Sequence, residues 1–140
     1  MAKESTLCII KPDAVKNRHQ AKILQRIIDE GFAIEGVRLL TLERSVAEGF
    51  YAVHRERTFF GELVEYMTSG PVIVAALSRD NAVAHWRAVI GATNPAKADA
   101  GSIRKLYGID LQQNAVHGSD SPENGLRETA YFFSGAELGR

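Results

Sequence analysis

The stretch Pro71-Val72-Ile73-Val74-Ala75-Ala76-Leu77 is apolar without a break, and it constrains the fold more than any other part of the chain. A half-solvated strand alternates apolar and polar side chains, whereas an unbroken apolar run needs cover on both faces. The run is therefore predicted as the central strand of a sheet with helices on each side.

The flanking segments supply neighbours for it. Leu7-Cys8-Ile9-Ile10 reads as a buried strand ending where Pro12 removes a backbone donor. Ile23, Leu24, Ile27 and Ile28 form one helix face, with Gly31 as its stop. Phe32 to Glu43 is predicted as a long strand. Ser45-Val46-Ala47-Glu48 has the form of a capping box opening a helix through Phe50, Tyr51 and His54. A further helix is predicted from Thr58 through Phe60, Leu63, Val64 and Met67, ended by Ser69-Gly70-Pro71. Asp80 is the expected cap of a helix with Val83, Trp86, Val89 and Ile90 inward and Gly91 at its end. Residues 92 to 116 carry weak patterning and read as a long excursion with one helical turn near Ile103 to Leu106. Ser121 caps the last helix with Pro122 in its first turn. Tyr131-Phe132-Phe133 reads as a short closing strand or extended segment. This order gives an α/β sandwich of the ferredoxin-like βαββαβ type: an antiparallel sheet covered by helices, with a long loop of the kind that is usually functional.

At 140 residues the chain suits a single domain spanning 1–140. Seventeen basic residues balance seventeen acidic ones, which argues against a strongly basic nucleic-acid surface but leaves room for a local positive pocket. Cys8, the one cysteine, permits neither an internal disulfide nor a thiolate zinc cluster. Met1 to Thr6 lacks the apolar core of a signal peptide, and no apolar run nears the ~18 residues of a membrane helix. The expected compartment is the cytoplasm, with no membrane partner.

Standard phosphate-binding signatures are missing. Gly31 to Gly36 has Walker spacing, but Val37 stands where the lysine is needed, and no metal-ligand cluster of His or Cys is spaced to hold an ion. What remains is Asn114-Ala115-Val116-His117-Gly118-Ser119-Asp120, placed before a capped helix. A neutral imidazole attacks phosphorus and passes the phosphoryl on. A helix start places amides and a positive dipole end beside it. Gly118 admits close approach, and Ser119 is positioned to donate to a transferring oxygen. Such a run also occurs as an ordinary turn into a helix.

Together with Ile9-Ile10-Lys11-Pro12-Asp13-Ala14-Val15, Phe50-Tyr51-Ala52-Val53-His54, Ser69-Gly70-Pro71-Val72, Ile90-Gly91-Ala92-Thr93-Asn94-Pro95 and Gly101-Ser102-Ile103-Arg104, the His117 stretch closely resembles the nucleoside diphosphate kinases, nearly end to end, and in particular their short-tailed bacterial type. The resemblance implies ping-pong transfer of a γ-phosphate, usually from ATP, to nucleoside and deoxynucleoside diphosphates through phospho-His117, using the ring nitrogen nearer Cβ and balancing nucleotide pools. Glu128 orients the imidazole. Lys11 places charge on the phosphates; Arg87 and Arg104 hold them by charge-assisted bonds and Thr93 adds a hydroxyl. Asn114 contacts the ribose region, Tyr51 supports the site, and Phe59 stacks on the base with Leu63 beside it, a contact any base can make. Phe60 is expected inward and Phe59 outward. Mg2+ arrives with the nucleotide rather than in a protein cage. Asp120 touches that ion through water or caps the next helix, the cap being favoured; His54 borders the site. Ala21 departs from the family's usual glycine. Homo-oligomers are implied, a tetramer favoured over a dimer or hexamer, with nucleic acid at most a side activity. A fold-sharing binder without activity, and a histidine carrier serving another protein, are the competing readings.

Overall fold

The computed structural model describes residues 3–140; Met1 and Ala2, part of the N-terminal stretch read above, lie outside the described residues. The unbroken apolar run forms the body of a strand whose residues are all buried except the last, Arg79. The strands are β1 (Glu4–Ile10), β2 (Ala33–Leu40), β3 (Val72–Arg79) and β4 (Val116–His117). All neighbours are antiparallel, in the order β2-β3-β1-β4, with helices at every crossover. That is the ferredoxin-like arrangement.

Alternation along the strands sends side chains to opposite faces. Leu7, Ile9, Val72, Val74 and Ala76 pack with α3 (Arg44–Phe50), α4 (Phe60–Met67) and α7 (Pro122–Phe132). Cys8, Ile10, Ile73, Ala75 and Leu77 pack with α2 (Gln20–Asp29) and α5 (Ala82–Ile90). Burying each large aliphatic side chain this way stabilises the fold by about 1.5–3 kcal/mol, so the two-sided cover inferred from one strand is the main source of cohesion. Two short helices, α1 (Pro12–Lys16) and α6 (Ile103–Tyr107), and 3-10 turns at Ala52–His54 and Pro95–Lys97 complete the chain.

Several boundaries differ from expectation. Pro12 ends β1 as predicted but also opens α1, because proline suits the first helical turn. The capping box at Ser45 does not form: Glu43 takes the extended cap position and Ser45 lies inside α3, where Arg44 instead pairs with Glu48 at 3.3 Å. Asp80 is not the cap of α5. Asn81 takes that place in left-handed conformation (φ 54°), and the free amide of Val83 is met by Glu4 Oε1 at 2.9 Å, a carboxylate from β1. The helix predicted from Thr58 starts at Phe60. Tyr131 and Phe132 belong to α7, and Phe133 follows as its cap; the strand that closes the sheet is β4, carrying His117. The aromatic pair Phe132-Phe133 is buried against the sheet, so its apolar character reports burial rather than strand.

Candidate active site

His117 sits on the second residue of β4, paired with Ile9 of β1. Just before it the chain makes a three-residue turn: Val116 N–H donates to Asn114 O at 2.9 Å around Ala115, whose φ is +74°. This positive-φ γ-turn is a strained conformation and persists only where its surroundings enforce it. Here Lys11 N–H donates to Ala115 O (2.8 Å) and Ala115 N–H donates to Asp13 Oδ2 (3.1 Å). Asp13 is buried and also accepts from the Tyr66 hydroxyl, which burial and that carboxylate push well above its ordinary value. The Lys-Pro-Asp segment and the histidine segment are thus clamped into one unit. On the far side, Gly118 is required by space: a Cβ there would lie 2.8 Å from Trp86 Cδ1, while Trp86 Nε1 donates to His117 O at 3.2 Å.

The imidazole is held by its outer nitrogen. Nε2 is 2.8 Å from Glu128 Oε1, and the ring meets Phe50 edge-on at 5.5 Å. A carboxylate only accepts, so the Nε2 proton points to Glu128, which leaves Nδ1 as the lone-pair nitrogen of the neutral ring. Burial pushes the Glu128 carboxyl upward, but the bond and charge of His117, the Ser119 hydroxyl and Arg127 outweigh it and keep it below the usual carboxylate range. Ser119 corrects an expectation. It is fully buried; its hydroxyl donates to Glu128 Oε1 at 2.8 Å and accepts from Leu7 N–H at 3.0 Å, so it steadies the carboxylate and does not reach a transferring oxygen.

Two cavities meet around this centre. The inner one, about 340 Å³, is lined by His117, Tyr51, Arg87, Arg104 and Glu128, with His54 on its border. The outer one, about 580 Å³, is lined by Lys11, Phe59, Leu63, Asn114 and Leu111. Thr93 and Arg104 line both, so the two form one continuous cleft. All the residues expected at the site therefore border it except Ser119. Phe59 is exposed at the outer end while Phe60 packs inward, as expected.

The polar partners within the cleft are fixed. Lys11 Nζ donates to Asn114 Oδ1 at 2.7 Å, and Asn114 Nδ2 donates to Thr93 O at 3.0 Å. Burial, then the charge of Arg104, lowers the Lys11 ammonium to about 8. Arg104 is buried, donates to Gly91 O (3.1 Å) and Val116 O (2.9 Å), and is lowered to about 10 by burial and then by Arg87. Burial, then Glu128, raises the Tyr51 phenol well above its ordinary value.

The structure adds residues that pattern reading passed over. Leu111 and Gln112 face Phe59 across the outer cavity, from a loop whose irregular sequence gives no periodic signal. Asn124 and Arg127 of α7 line the inner cavity, yet in sequence they are ordinary solvated helix residues. Asp120 also lines it and is not the helix cap: Ser121 Oγ accepts from Asn124 N–H at 3.1 Å, and Asp120 instead takes the Asn124 side-chain amide.

Comparison with known proteins agrees with this arrangement. The family model described as nucleoside diphosphate kinase matches residues 4–138. The nucleoside diphosphate kinase of Geotalea daltonii is 54% identical over 96% of this chain and 98% of its own length. That of Sorangium cellulosum is 54% identical over 99% of this chain and 96% of its own length. The crystal structure of the Aquifex aeolicus nucleoside diphosphate kinase superposes with a TM-score of 0.94 at 45% identity, covering 97% of this chain and 99% of that one.

Proposed function

The chain belongs to the nucleoside diphosphate kinase family, and we propose that it carries out that phosphotransfer in two steps through Nδ1 of His117. The observation that carries this reading is the commitment of Nε2 to Glu128, which leaves Nδ1 as the uncommitted ring nitrogen of a histidine that lines the inner cavity. In the first step the Nδ1 lone pair forms a bond to the γ-phosphorus while the bond to the β–γ bridging oxygen breaks, releasing a nucleoside diphosphate. Positive charge builds on the ring and is balanced by the Glu128 carboxylate, with the proton remaining on Nε2 throughout. In the second step a β-phosphate oxygen of another diphosphate attacks the same phosphorus and the P–N bond breaks, restoring the neutral imidazole.

The other residues act on charge and placement. Lys11, Arg87 and Arg104 meet the phosphate oxygens, with Thr93 shared by the two cavities and Asn114 in the outer one. Phe59, Leu63 and Leu111 take the faces of the base, a contact open to purines and pyrimidines alike. Tyr51 walls the reacting end. Magnesium suits this donor set only as a passenger on the phosphates: Glu128 is occupied by His117 and Ser119, and Asp120 is the carboxylate left at the cavity to receive a water of the ion. Bound there, the ion would neutralise phosphate charge. On this reading the activity balances nucleotide pools, and the cytoplasm is its proposed compartment.

The reading also includes self-assembly. β2 is an edge strand. Gly36 and Arg38 face Phe133, so Val37 and Leu39 point to the opposite face, that of α2. Val37, Leu39 and Ile28 of α2 are 51%, 66% and 56% exposed, an apolar strip suited to a second copy.

Incubating the folded protein with magnesium and γ-labelled ATP is the direct test. We expect an acid-labile label that disappears in His117→Ala and is chased off by a deoxynucleoside diphosphate. A folded wild-type protein that stays unlabelled overturns the reading.

A further inference from the structure

We infer that Arg127 is a positioning residue for the His117–Glu128 pair, steadying the carboxylate from the solvent side of the inner cavity; this rests on the reading of His117 as the phosphoryl acceptor. The two oxygens of Glu128 are used differently. Oε1 receives both His117 Nε2 and Ser119 Oγ at 2.8 Å. Oε2 faces Arg127 Nη2 at 3.9 Å.

Arg127 is itself held in place. Its Nε and Nη2 donate to Asn124 Oδ1 at 3.2 and 3.0 Å, and the Asn124 amide donates in turn to Asp120. The side chains of residues 120, 124 and 127 fall on one side of the start of α7, at helical spacing, and all three line the cavity with Glu128. A long, half-exposed arginine is thereby kept beside Glu128 rather than left to wave in solvent: its side chain is 52% exposed against 10% for Glu128.

Around Glu128 the charged and titratable groups are His117 from β4, Tyr51 from the turn after α3, Arg127 from its own helix, and, elsewhere on the cavity lining, His54, Arg87, Arg104 and Asp120. Arg127 is the cation nearest the free oxygen. Its charge beside Oε2 disfavours protonation of Glu128. Glu128 therefore stays a carboxylate, its working form, to lower pH than it would without the guanidinium.

The experiment follows the rate of His117 labelling by γ-labelled ATP against pH at low ionic strength, for wild type, Arg127→Gln, Arg127→Lys and Arg127→Glu. An exposed pair is worth a fraction of a kcal/mol, so the acid limb in Arg127→Gln should move up by roughly 0.2–0.7 pH unit, a loss of up to about fivefold on that limb. Arg127→Lys should recover most of it, Arg127→Glu should move the limb further up, and added salt should shrink the differences. A purely structural role would alter thermal stability without ordering the limbs by charge. Coincident limbs for wild type, Gln and Glu variants overturn the inference while leaving the phosphohistidine reading intact. Loss of labelling in wild type would instead defeat that reading.

Discussion

At the scale of single residues, the proposed chemistry turns on the orientation of one imidazole. Glu128→Gln keeps the shape of the side chain but removes the charge that, on that proposal, balances the ring as it gains phosphorus. A charge-assisted hydrogen bond is worth about 1.5–3 kcal/mol, so single-turnover labelling should slow by roughly 10- to 150-fold. Rapid-quench measurement beside a melting curve checks this; an unchanged rate would mean that Nε2 needs no carboxylate. Lys11 makes a second prediction. Its ammonium is lowered to about 8, chiefly by burial, and phosphates bind the charged form. Nucleotide affinity should fall as pH rises through that value, approaching tenfold per unit, and Lys11→Gln should bind weakly with no such slope. Equilibrium titration across the midpoint distinguishes the two. For folding the sign is opposite: the unfolded lysine titrates near 10.5, so between about 8 and 10.5 the unfolded chain holds the extra proton and stability rises with pH. The histidine motif and its distant partners were legible in sequence because they resemble a known family. Ser119 was misread because its orientation depends on Leu7 N–H and Glu128, contacts that no local pattern encodes.

At the scale of elements, α7 carries Glu128 to His117, so its start matters. Ser121 is both a legible cap and an observed one, accepting from Asn124 N–H. Ser121→Ala should cost about 1 kcal/mol and lower the melting temperature by several degrees, as calorimetry would show; no change would mean that Pro122 alone sets the helix start. Two of the other caps expected from sequence failed for an instructive reason. Ser45 and Asp80 have suitable side chains, but a cap is a backbone conformation first. The extended residue before α3 is Glu43, and the amide at the start of α5 finds Glu4, 79 residues away in sequence. Strand β4 escaped notice because two residues, flanked by a strained turn and a glycine, carry no period to read.

For the molecule as a whole, one apolar run was enough to require a doubly covered sheet, and the alternating faces of β1 and β3 fill that requirement. The strip formed by Ile28, Val37 and Leu39 extends the same physics outward. Light scattering at micromolar concentration should report a multiple of the 15.4 kDa chain, and Leu39→Lys should shift the mass downward, since a charge on an apolar contact is costly to bury. A monomeric wild type would remove assembly from the picture. The pairing of His117 with Ile9, two residues from Lys11, has a broader consequence. The reacting end of the cleft is welded to the centre of the sheet, whereas Phe59 ends a largely exposed stretch of turns and Leu111 rides on the long loop. On the proposed reading, bonds change where the cleft is anchored to the sheet, and the base is held where it is built from exposed turns and loop. Substitutions at Phe59 or Leu111 should therefore alter which nucleotides are favoured while leaving the reacting geometry in place.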